Sequence, residues 1–144
     1  MDIPSAAPYL EFLMSQLRLL HIALSLSAVV MTLVFSALRS IGLAGTGGVP
    51  TMITYVLLGF AAMIILTAAT VRTRIPAANA GDADDNWAST NKATCIILWA
   101  MLEGGAALCG IALFLGANPW LAGGFAAGAL GFLVSQSPGT LAGH

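Results

Sequence analysis

The chain has 144 residues, 58% of them hydrophobic and only 8% charged, with a net charge of −1 and a mean hydropathy of +0.92. Soluble domains carry roughly 25% charged residues, so this composition excludes a soluble globular enzyme, and the near-neutral charge gives no footing for nucleic acid. What remains is an all-α, integral membrane four-helix bundle, a single transmembrane domain over residues 1–144.

The first sixteen residues, Met1 to Gln16, include Asp2 and Glu11 and lack the positive start of a signal peptide. The apolar run that follows is also too long for a signal core, so a retained first span is predicted at about 16–38, with Pro4 and Pro8 making its approach irregular. Crossing the hydrocarbon takes about 20 apolar residues. The second span, about 51–71, is free of charge and follows a glycine-rich loop closed by Pro50. The polar loop 72–92 contains Pro76 and Trp87, and Ser89 or Thr90 is the expected cap of the third span, about 93–115. Asp82, Asp84 and Asp85 have a calcium-loop look, but the twelve-residue pattern and its closing Glu are missing; they read as a solvated acidic loop. A tight turn, Gly116-Ala117-Asn118-Pro119, leads into a shorter, glycine-rich fourth span, about 118–136, and the tail from Ser135 is expected to fray.

Four spans put Arg18, Arg72, Arg74 and Lys92 on one side and only Arg39 on the other. The positive-inside bias then predicts both termini in the cytoplasm of a bacterial inner membrane. Cys95 and Cys109 lie on one helix about 21 Å apart, beyond disulfide reach, and read as small buried hydrophobes.

One acid interrupts the third span. Glu103 lies eleven residues from Lys92, about 16 Å of helix and so near the middle of a hydrocarbon core about 30 Å thick. An acid at that depth is a functional-site hypothesis. Ala100, Glu103, Ala107 and Gly110 form a stripe of small residues at helical spacing, and Gly124, Gly128, Gly131 and Ser135 form a matching one on the fourth helix. Small stripes allow close helix packing in lipid. Glu103 is therefore expected to face the fourth helix, uncharged and hydrogen-bonded, near Ser135. Its roles divide between tying two helices together, binding a proton, and meeting a partner subunit. Arg18 and His21 are supporting polar candidates near the membrane boundary. No motif names a cofactor. Haem at His21 lacks a second intramembrane His, because His144 lies in the tail. No zinc spacing, nucleophile elbow or phosphate loop occurs, so neither a catalytic residue nor a metal ligand is assigned.

The run from Ala100 to Gly110, AMLEGGAALCG, resembles the carboxylate helix of the proton-carrying c subunits of rotary ATP synthases. The second span, the loop with Arg72, Arg74 and Pro76, and the acidic span are similar to the topology of those subunits. The resemblance implies that Glu103 binds a proton. It does not extend to ring assembly, since the second span has only Gly59 where such rings need closely spaced glycines. The chain also resembles small four-span bacterial membrane proteins of unassigned function, which have a similar Leu-Glu-Gly stretch in the third helix and a basic residue plus His opening the first. Two functions are expected. One is a structural or accessory subunit of a larger inner-membrane complex, surrounded by membrane lipids and by other subunits or copies of itself. The other is a proton-handling carrier or channel element using Glu103.

Overall fold

Inside lipid every backbone N–H and C=O must be paired within the chain, which leaves an apolar segment little choice but the helix. The computed structural model of the chain describes residues 7–43, 50–78 and 84–143, and every regular element among them is helical. In chain order these are α1 (Ala7–Ser40), α2 (Thr51–Arg72), α3 (Asp84–Phe114), α4 (Pro119–Ser135) and a short α5 (Pro138–Ala142). The chain is a helical membrane protein. Within α1, α2 and α3, the stretches Leu13–Ser40, Thr51–Arg72 and Asn86–Phe114 are long and apolar enough to cross a bilayer. The expected fourth span is a helix of 17 residues, about 25 Å long and thus shorter than a typical crossing.

α3 is the centre of the bundle, packed against α1, α2 and α4. Half of its apolar window is buried, against 22% for α2 and 11% for α1. Its inward side carries Leu98, Trp99, Leu102, Ala106 and Cys109, all fully enclosed. Close approach depends on two glycines. A Cβ on Gly105 would lie 3.1 Å from Ile65 of α2, and one on Gly110 would lie 2.8 Å from the ring of Phe35 of α1. His21 meets Trp99, and Phe35 meets Gly110 and Phe114. The same order along both helices means that α1 and α3 run parallel.

Helix ends explain the boundaries. At Gly116, φ is +102°, and Ala117 N–H donates to Ala112 O while Gly116 N–H donates to Leu113 O. This is a left-handed glycine closure that satisfies carbonyls the helix can no longer reach. Asn118 then caps α4 by accepting from the N–H groups of Trp120 and Leu121, with Pro119 in the first turn. Gly42, at φ +77°, closes α1 in the same way.

The structure differs from expectation at several boundaries. α1 begins at Ala7, because a proline at position 8 falls in the first turn, where its missing N–H costs nothing; Pro4 lies outside the described residues. α3 begins at Asp84 rather than near 93. Ser89 and Thr90 are therefore inside it, bonding back to Asn86 O instead of capping. Asp82 of the acidic loop lies outside the described residues. The tail forms α5, capped by Ser137, with Leu141 and Ala142 buried. Ala78 N–H donates to Ala142 O (3.0 Å) and the Trp87 indole donates to Pro76 O (2.7 Å), so segment 75–78, α5 and the start of α3 cover one end of the bundle.

Candidate functional site

The polar chemistry gathers where α4 ends. The last carbonyls of a helix have no partner in the helix itself, and here side chains from α1 and α3 donate to carbonyls at this end while one from α2 holds the Gln136 side chain. His21 Nε2, from α1, lies 2.9 Å from Leu133 O. A carbonyl only accepts, so this nitrogen carries the proton. The Trp99 indole of α3 donates to Gln136 O (2.8 Å), and the His21 and Trp99 rings meet edge to face at 5.0 Å. Arg72, in the last turn of α2, donates through Nε to Gln136 Oε1 (2.7 Å) and through Nη1 to Ile75 O (3.3 Å). Gln136 Nε2 donates to Ser135 Oγ (2.9 Å), which donates to Phe132 O (2.7 Å). One helix end is thus held by α1, α2 and α3 together.

A smaller clamp holds the opposite end. Arg39, in the last turn of α1, donates through Nη1 to Leu113 O (2.6 Å) and Ala117 O (2.7 Å). The guanidinium stands at the negative end of the α3 dipole, where a cation is favoured.

Glu103 stands apart from both. It is half-buried, one turn beyond Trp99, and makes no hydrogen bond or ion pair with any described residue. The expectation that it faces α4 and bonds near Ser135 is corrected. α4 packs inward through Ala122, Ala126, Ala129 and Leu133, while Gly124, Gly128 and Gly131 are exposed, with no atom within 4 Å of where their Cβ would lie. The alanine methyls fill space against α3 that bare glycines would leave empty, so the glycine stripe turns outward. On α3, Ala100 is exposed and Ala107 half-buried; Gly110, at the end of the stripe that includes Glu103, abuts α1 rather than α4. Ser135 is exposed and spends its hydroxyl on Phe132 O.

Of the supporting candidates, Arg18 is exposed and has no partner among the described residues, whereas His21 is enclosed by the protein, its relative exposure being 7%. With Nε2 committed to Leu133 O, the ring is a structural donor. Trp99, Gln136 and Arg39 were not among the sequence candidates. A signal existed for Trp99, since an indole in an apolar helix needs an acceptor. Among the described residues no three His, Cys, Asp or Glu side chains group to hold a metal ion. Cys95 and Cys109 are free and lie in separate packing clusters.

The fold and its polar clasp define a small all-helical membrane protein centred on α3. No family model matches the chain, and neither a curated protein nor a solved structure matches it.

Proposed function

We propose that the chain is a non-catalytic structural or accessory subunit of a larger complex in the bacterial inner membrane, with the flank of α3 around Glu103 held by a neighbouring helix. One observation carries this reading: a carboxyl midway along the central span has no partner among the described residues. An unsatisfied acid at mid-bilayer is costly, and a donor on a neighbouring membrane helix removes that cost. The outward glycines of α4 offer such a neighbour a second face for close approach, and the neighbour is another subunit or a second copy. The excess of Arg and Lys at the end holding Arg18, Arg72, Arg74 and Lys92 supports cytoplasmic termini. Purification in mild detergent with mass measurement tests the proposal. A complex that falls apart in Glu103→Leu is expected, and a stable, partnerless wild-type monomer would sink it.

A second reading, proton handling by Glu103, is favoured by the partial exposure of that side chain and by the likeness of its helix to rotary carboxylate helices. Carbodiimide attacks protonated carboxyls, so labelling at Glu103 that slows as pH rises is the expected sign. Absence of labelling together with full function of Glu103→Gln removes this reading.

A further inference from the structure

A groove follows the side of α1 that faces α4 and α5. Its outer end, about 330 Å³, is walled by Arg18, Ser137 and Gly139. It continues past His21 and Ile22, which line both parts, into a slot of similar volume walled by Leu26, Val29 and Val134. From Arg18 to Val29 is eleven residues, about 16 Å. That is roughly half of a 30 Å hydrocarbon core, the depth of a single leaflet. The upper part presents a guanidinium with no carboxylate partner among the described residues, beside Ser137, whose oxygen accepts from Thr140 N–H while its own proton is free to be donated when Thr140 Oγ1 donates to it; the lower part is almost wholly apolar.

We propose that this groove is a binding site for one anionic phospholipid, with the phosphate on Arg18 and Ser137 and an acyl chain lying along Ile22, Leu26 and Val29 against Val134. Charge selects the headgroup. A planar guanidinium pairs with phosphate oxygens through two hydrogen bonds at once, and basic sites between helices at the membrane surface favour anionic headgroups. Shape selects a lipid over free phosphate, since inorganic phosphate would leave the apolar slot empty. The site is separate from the Glu103 flank, and its test does not depend on the function proposed above.

The test reconstitutes the full chain with equal amounts of phosphatidylglycerol and phosphatidylcholine and counts retained lipid by native mass spectrometry. Wild type is expected to keep phosphatidylglycerol about tenfold over phosphatidylcholine, the scale of one charge-assisted contact. Arg18→Gln removes most of that preference, and Arg18→Lys keeps part of it. Ile22→Trp fills the groove without changing charge and lowers retention of phosphatidylglycerol. Both side chains are exposed, so neither change disturbs the core. Equal retention of the two lipids by wild type, an unchanged preference in Arg18→Gln, or undiminished retention in Ile22→Trp would each overturn the site.

Discussion

Trp99 and Glu103 stand one turn apart on the same helix, yet the indole of the first is hydrogen-bonded and the second has no partner among the described residues. The difference lies in what passes beside them. Trp99 lies level with the end of α4, where the Gln136 carbonyl lies beyond the helix and takes the indole donor, and where Leu133 O accepts from His21 as well as from Gln136 N–H. Glu103 lies beside uninterrupted helix, where the backbone is already bonded to itself and offers no donor. Its own chain can therefore anchor a polar side chain at the ends of α4 or α3, but not halfway down α3.

The largest effect should come from breaking the paired side. Trp99→Ala opens a cavity at the centre of the bundle and orphans Gln136 O, and should lower stability by about 3–5 kcal/mol in unfolding measured in detergent. Loss of less than 1 kcal/mol would show that the α4 end is held by other contacts. Arg39→Met removes the clamp at the other end while keeping most of the side-chain stem. The expected cost is about 1.5–3 kcal/mol, the range for hydrogen bonds from charged groups. Glu103→Gln is the smallest change and the most telling. With no partner to lose, the isolated chain should stay within about 0.5 kcal/mol of wild type. A larger fall would mean that a bond within the chain holds the acid, and the contrast with Trp99 would vanish.

Much of the architecture could be read from hydropathy and turn residues. Three apolar runs of crossing length, the Pro50 restart and the short turn Gly116-Ala117-Asn118-Pro119 all follow from local chemistry, and the structure has each of them. The starts of α1 and α3 were harder, because hydropathy marks where lipid begins and a helix can run on into water. Trp87, Ala88 and Asn91 are buried in that extension by segment 75–78 and α5, a tertiary contact with no local signature. The face of α4 was misread for a different reason. Its alanine and glycine stripes have the same helical spacing and lie two residues apart, on nearly opposite sides, and both are small enough to pack. Only the volume left by α3 decides between them. For Glu103, helical rise located the acid along the span, but its direction depended on that same choice of face.

The Arg39 clamp also bears on how the protein is made. Arg39 and Leu113 are 74 residues apart, and the carbonyls that Arg39 grips exist only once the turn after α3 has formed. At about 5–20 residues per second of synthesis, the first helix waits roughly 4–15 s in the membrane before its last turn can be locked. Throughout that interval α1, with 11% of its apolar window buried even in the finished bundle, is accommodated mainly by lipid or by the insertion machinery. Assembly is therefore timed by the synthesis of the third helix, and truncation before Ala117 should leave α1 and α2 inserted but unlatched.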